Sequence, residues 1–162
     1  MSLRNALKRA EIFEGLSPTQ LELIASICDE RGCQAGEVIF AESTVGNELY
    51  IILEGAVHIQ VDPALSGSRA ETGPHTIATL RQGQSFGEVA LVDQGPRSAS
   101  ARCAQQSTRL VVIPRDKLML LCDTYPQLGY RLMRNLAADL ALKIRNTDRQ
   151  IREQLTWLHV QR

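Results

Sequence analysis

The chain has 162 residues, 44% of them hydrophobic and 22% charged, enough for one globular domain with a sizeable core plus an appendage. Eighteen basic and eighteen acidic residues cancel, which excludes a whole-molecule field that would recruit DNA, an acidic substrate or an anionic membrane. From Tyr125 onward seven Lys/Arg stand against three Asp/Glu, a net of +4 that leaves −4 on the first 124 residues, and this basic tail reads as a solvated helix face. The N-terminus lacks the apolar stretch of a signal peptide and no apolar run approaches membrane-spanning length, so a cytoplasmic protein without membrane contact is expected. Cys28, Cys33, Cys103 and Cys122 show neither Cys-x-x-Cys pairs nor a His-bearing metal spacing. They read as reduced, buried thiols, and no metal site is expected.

In chain order, Leu3, Leu7, Ala10 and Phe13 fall near one face and predict a helix over 3–13, broken at Gly15. Ser17 has the chemistry of an N-cap and Pro18 that of a first helical residue. They launch a second helix with a buried stripe of Leu21, Ile24, Ala25 and Cys28, expected to end near Arg31-Gly32. From Gly36 the period becomes that of strands. Val38 to Phe40 and Leu49 to Leu53 are β-branched and aromatic, and Glu54-Gly55 turns the chain into the alternating Ala56 to Val61. Asp62 to His75, rich in Pro, Gly and Ser, reads as an exposed loop. Thr76 to Leu80, Ser98 to Cys103 and Leu110 to Ile113 return to β-structure. Strands this short with turns this regular suggest a barrel or sandwich.

The stretch from Gly83 through Leu91, continued by Gly95-Pro96-Arg97-Ser98-Ala99-Ser100-Ala101, carries the chemistry. Gly87 lets a backbone approach a ligand closely, Glu88 to Leu91 can start a helical turn, and free N–H groups there attract an oxyanion. Arg97 is expected to point from a strand into an enclosed space, where an unpaired guanidinium is costly. The ordered set Phe86-Gly87-Glu88-Val89-Ala90-Leu91, a short loop, then Pro96-Arg97-Ser98-Ala99 resembles the phosphate-binding cassette of the cyclic nucleotide-binding domain family. Gly36-Glu37-Val38-Ile39 and Leu49-Tyr50-Ile51-Ile52, with Glu54, Gly55 and Val57, extend the likeness over most of the chain. One turn departs from the pattern: where the family commonly has a glycine just after the Ile39-Phe40 strand, this chain reads Ala41-Glu42-Ser43-Thr44-Val45-Gly46.

The resemblance implies a mainly β fold with flanking α, a double-stranded β-helix (jelly-roll-like) barrel with N-terminal helices and a long C-terminal helix. It divides the chain into a nucleotide-binding barrel over 1–124 and a lid or dimerisation helix over 125–162. It implies that Arg97 pairs with a cyclic phosphate and that Glu88 accepts from the ribose 2′-hydroxyl, both through charge-assisted hydrogen bonds. Gly87 and Ala99 would allow close backbone approach, Ser98 would offer its hydroxyl or N–H, and Phe86, Val89 and Ala90 complete the expected contacts. The alternative for Arg97 is a structural ion pair with Glu88 in an empty fold. Side chains of the long helix would lie over the base, with Lys143, Ile144, Asn146 and Thr147 as candidates. The ligand expected is cAMP rather than cGMP, on the likeness to bacterial regulators. The scattered cysteines argue against the oxygen-sensing iron–sulfur relatives.

Two further helices follow the barrel. Pro114 to Leu118 opens one, with Asp116 near its cap and Leu118, Leu121 and Cys122 packed inward. Pro126 starts the other in its first turn and has no glycine after Gly129. Ile144, Ile151 and Leu158 recur every seven residues, with Leu140, Thr147 and Leu155 alongside, a pattern that fits a coiled-coil seam and predicts a homodimer. There is no nucleophile set, paired acid or Gly-x-x-x-x-Gly-Lys loop, so no enzyme is expected. Nor is a helix-turn-helix found after the long helix. The chain therefore reads as a regulatory sensor acting on an unidentified effector, or as the sensor piece of a longer transcription regulator or channel.

Overall fold

The computed structural model describes residues 3–67 and 73–160. Among the described residues, eight antiparallel strands form two four-stranded sheets. They are β1 (Asp29–Cys33), β2 (Val38–Phe40), β3 (Glu48–Glu54), β4 (Ala56–Val61), β5 (His75–Arg81), β6 (Ser85–Phe86), β7 (Ser100–Cys103) and β8 (Thr108–Pro114). The sheet orders are β1-β8-β3-β6 and β2-β7-β4-β5. They are flanked by the α-helices α1 (Leu3–Leu7), α2 (Pro18–Ala25), α3 (Glu88–Asp93), α4 (Arg115–Thr124) and α5 (Pro126–Val160). This is the jelly-roll-like barrel with N-terminal helices and a long C-terminal helix.

Strand β3 shows how the layers are built. Leu49 and Ile51 face the helices, where they join Phe13, Ile24, Leu118 and Leu132, whereas Tyr50 and Ile52 face the barrel interior with Val57, Phe86 and Leu110. Period-two alternation with both faces apolar thus gives one core between sheet and helices and a second between the sheets. Helix α2 starts as its sequence predicts: Gln20 N donates to Ser17 Oγ at 3.2 Å and Ser17 N donates to Gln20 Oε1 at 2.9 Å, with Pro18 in the first turn.

Four expectations are corrected. The helix over 3–13 is interrupted: α1 stops at Leu7, and Glu11–Phe13 forms a 3-10 turn because Glu11 N donates to Gly83 O at 3.1 Å. Leu7, Ala10 and Phe13 are buried all the same, so the apolar face holds although the helix does not. The second helix ends at Ala25 rather than near Arg31, and Asp29–Cys33 is a strand paired with Thr108–Val112 of β8. An Arg109–Glu30 ion pair of 2.6 Å supports that register. Cys33 and Cys103 are joined as a disulfide across the two sheets rather than being free thiols. Their separation of 70 residues is invisible to any local spacing rule. Cys28 and Cys122 are free, and burial pushes the Cys28 thiol up to about 12. The fourth correction concerns Arg97, which lies in the loop between α3 and β7 and not on a strand.

Of the expected loop from Asp62 to His75, Pro63–Ser66 forms a 3-10 turn and β5 begins at His75, while residues 68–72 lie outside the described residues. The unusual turn after β2 is made by Ser43, which takes a left-handed φ of 66°. Helix α5 has 35 residues, about 50 Å at 1.5 Å per residue. Its first third is anchored by buried Leu128, Leu132 and Leu136, and Asn135 Nδ2 donates to Ile12 O and Glu14 O, each at 2.9 Å. From Ile144 to Val160 every residue is exposed. No helix among the described residues is long and apolar enough to cross a membrane.

Candidate functional site

The cassette spans the end of β6, helix α3 and the loop to β7. Gly87 is the residue before α3 and takes a φ of 84°, a conformation that favours glycine. A Cβ there would stand 2.8 Å from Arg97 Nη1 and 3.1 Å from Glu48 O, so close packing also demands glycine. Phe86, Glu88 and Ala90 are buried, whereas Val89 and Ser98, the latter directly after Arg97, are exposed. Ala99 is half-buried.

Arg97 is only 4% exposed. Its Nη1 donates to Gly87 O at 3.1 Å and its Nη2 to Glu48 O at 3.0 Å. Its Nε is buried without a partner. The guanidinium carbon lies 4.2 Å from the Phe40 ring centre and 5.9 Å from that of Tyr50, and Tyr50 stacks on Phe86 at 5.1 Å. The loop is fixed from behind by the Ser43 turn: Arg97 N donates to Thr44 O at 2.7 Å and Ser43 N to Arg97 O at 2.8 Å. Gly46 completes the enclosure, since a Cβ there would sit 2.8 Å from the guanidinium carbon. Burial lowers the Arg97 pKa, opposed by Tyr50, Glu48 and Glu88. Carbonyl dipoles and ring faces thus hold a cation whose Nε has no acceptor, a group suited to receive an anion.

Glu88 meets a different environment. It is 4% exposed and pairs with the Lys143 ammonium of α5, not with Arg97, so the expected alternative of an Arg97–Glu88 ion pair is not what forms. Lys143 Nζ also donates to Ser85 O at 2.8 Å and lies 2.9 Å from Asp139 Oδ2. Burial raises the Glu88 pKa, Lys143 pulls it back, and the neighbouring Asp139 raises it again, so the net direction is up. For Lys143 burial acts downward, but Glu88 and Asp139 outweigh it and the net direction is up.

Of the helix residues expected over a base, Lys143 is the one brought onto the cassette. Thr147, one turn on, is exposed and donates to Lys143 O at 3.0 Å, and Asn146 and Ile144 are exposed. Sequence reasoning missed Phe40, Tyr50, Glu48 and Gly46 around Arg97, and Ser85 and Asp139 around Lys143. Only Asp139 had a local signal, an acidic residue four before a lysine on a helix. Two surface hollows, of about 330 and 300 Å³, lie among the N-terminal helices and beside β1, β3 and β8, and contain no cassette residue. Among the described residues no three His, Cys, Asp or Glu side chains group as metal ligands.

Comparison with known proteins places this geometry. The sequence profile of the cyclic nucleotide-binding domain matches residues 30–125. The cyclic AMP receptor protein of Thermus thermophilus is 32% identical over 145 residues, covering 90% of this chain and 62% of that protein. A CRP-like cAMP-activated global transcriptional regulator of Mycobacterium tuberculosis is 33% identical over 135 residues, covering 83% and 57%. The crystal structure of a cyclic nucleotide-binding domain from Methylobacillus flagellatus superposes with a TM-score of 0.78 at 25% identity, covering 93% of this chain and 82% of that one. The chain spans about three fifths of the length of the two curated relatives.

Proposed function

The chain belongs to the cyclic nucleotide-binding domain family, and from that premise we propose that it is a regulatory sensor of a 3′,5′-cyclic nucleotide, cAMP in preference to cGMP. The observation that carries this reading is the Arg97 guanidinium, buried with no carboxylate bonded to it and with its Nε unpartnered. A cyclic phosphate supplies the missing acceptor. Glu88 takes the ribose 2′-hydroxyl, Gly87 and Ala99 allow the backbone to approach, Ser98 adds its hydroxyl or N–H, and Phe86, Val89 and Ala90 form the remaining wall. Lys143, Asn146 and Thr147 lie on the helix that covers the base. The preference for adenine rests on the curated relatives, both described in terms of cAMP.

In this reading residues 1–124 are the nucleotide-binding barrel and 125–162 its lid and dimerisation helix, in one structural unit. The protein acts in the cytoplasm as a regulator, not a catalyst. Exposed Ile144, Ile151, Leu155, Trp157 and Leu158 support pairing of α5 with its copy in a homodimer. Ligand changes the angle or spacing of the paired helices, because a contact made in one state only shifts the balance between states.

Thermal unfolding tests the ligand. At one hundred times the dissociation constant, binding adds about 2.7 kcal/mol, which raises the melting temperature by roughly 5–10 °C. No shift with either cyclic nucleotide at millimolar concentration sinks the reading. Light scattering tests the dimer, and the distance between spin labels at Gln154 of paired chains, with and without saturating ligand, tests the movement.

A further inference from the structure

Asp139 has no role in the reading so far. It lies on α5 one turn before Lys143, its side chain is 13% exposed, and its Oδ2 is buried without a hydrogen bond although the Lys143 ammonium is 2.9 Å away. The contact is an ion pair lacking hydrogen-bond alignment. Lys143 meanwhile donates to Glu88 and Ser85 O. Two carboxylates and one ammonium thus meet where α5 crosses the cassette, and the lysine is hydrogen-bonded to one carboxylate and ion-paired without a hydrogen bond to the other.

We propose that Asp139 is a positioning residue for ligand recognition: it takes over the Lys143 ammonium when Glu88 turns to a sugar hydroxyl. The inference rests on the cyclic-nucleotide reading above. Its physical basis is that a buried ion deprived of its partner is strongly disfavoured. With Asp139 in place, Lys143 exchanges one anion for another and Glu88 is released to the ligand. Without it, Lys143 and Glu88 hold each other, and the ligand must break that pair with nothing to replace it. Asp139 and Lys143 are four residues apart on one helix, acid first, the favourable order for such a pair. The ammonium handed to Asp139 therefore has its counter-charge on its own helix and keeps only the Ser85 carbonyl from the cassette side, so the charged tie between α5 and Glu88 is released as the ligand enters.

A double-mutant cycle on the full chain, read by calorimetry with cAMP and cGMP, tests this. In the wild-type background Asp139→Asn is expected to weaken binding about tenfold, within the range of couplings between contacting residues. In a Lys143→Met background the same change should leave affinity unchanged or raise it, since Asp139 would there only repel Glu88. Asp139→Glu should restore most of the wild-type affinity. Should Asp139→Asn fail to fold, Asp139→Ser serves in the same cycle. Equal losses in both backgrounds, or no loss in the wild type, overturn the proposal alone. A wild-type chain that binds neither nucleotide overturns it together with the reading on which it rests.

Discussion

Arg97 and Glu88 lie nine residues apart in the same cassette and are equally buried, at 4% exposure each, yet their surroundings are opposites. Glu88 has a full counter-charge, supplied by Lys143 from α5. Arg97 has none bonded to it: two backbone carbonyls and the face of Phe40 hold it, and its Nε is left over. Burying an ion without a partner is costly, so a fold that keeps one so must compensate through dipoles or through something that binds. One half of the cassette is thus latched by the protein's own helix, and the other is held by backbone dipoles and a ring face alone.

The largest effect that would break this contrast is on affinity. Arg97→Lys keeps the charge but loses the planar fork that meets carbonyls and phosphate together. It is expected to weaken cyclic-nucleotide binding by about 2–4 kcal/mol, with the ligand-free fold intact by circular dichroism. Unchanged affinity by calorimetry would put the phosphate elsewhere. Next in size is Gly87→Ala, where a left-handed φ of 84° and the proximity of Arg97 Nη1 combine. A loss of about 2–3 kcal/mol of stability in denaturant unfolding is expected. A change below about 0.5 kcal/mol, the level of an ordinary surface substitution, would show that the Arg97 enclosure is slack. Glu88→Gln sharpens the other side. Lys143 keeps Asp139, so the ligand-free chain should lose no more than about 1 kcal/mol, while binding falls by less than for Arg97→Lys. A larger loss of affinity for Glu88→Gln than for Arg97→Lys would invert the roles of the two residues.

The barrel was legible where side chains alternate. Leu49 to Leu53 is a continuous β-branched and aromatic run, Ala56 to Val61 sets Val57, Ile59 and Val61 at period two, and strands formed at both. Asp29 to Cys33 carries two acids, an arginine and a glycine, and nothing local marks it as a strand. It is one because β8 pairs with it over five positions, so its state is decided by tertiary structure rather than propensity. The cassette was legible because its residues are contiguous. What holds it was not: Phe40, Gly46 and Glu48 reach Arg97 from about fifty residues upstream, and Lys143 reaches Glu88 from 55 residues downstream. The Cys33–Cys103 pairing, 70 residues apart, escaped for the same reason. Gly46 also resolves the departure after β2, since the turn uses Ser43 in a left-handed conformation and still presents a glycine to the guanidinium.

The smallest expected effect concerns the latched side and is silent at neutral pH. The folded pKa of Lys143 lies above its ordinary 10.5, since Glu88 and Asp139 outweigh the downward pull of burial. A cation whose pKa is higher in the folded than in the unfolded chain gives stability that is complete below the unfolded value and is lost as pH rises through the folded one. Lys143→Met removes that contribution and leaves two carboxylates near each other without their cation, so the variant should melt lower than the wild type from about pH 7 up to about pH 10. Above pH 10.5 the difference should shrink, because the lysine of the unfolded wild type then sheds its proton and that of the folded chain follows at its higher pKa, while the other titrating groups are common to both chains. The melting temperatures of the two proteins, followed together through that window, supply the measurement. A gap that stays constant to the most alkaline pH the fold survives would mean that Lys143 stabilises through its buried methylene stem. In that case the contrast between a latched Glu88 and an open Arg97 would rest on packing and not on charge.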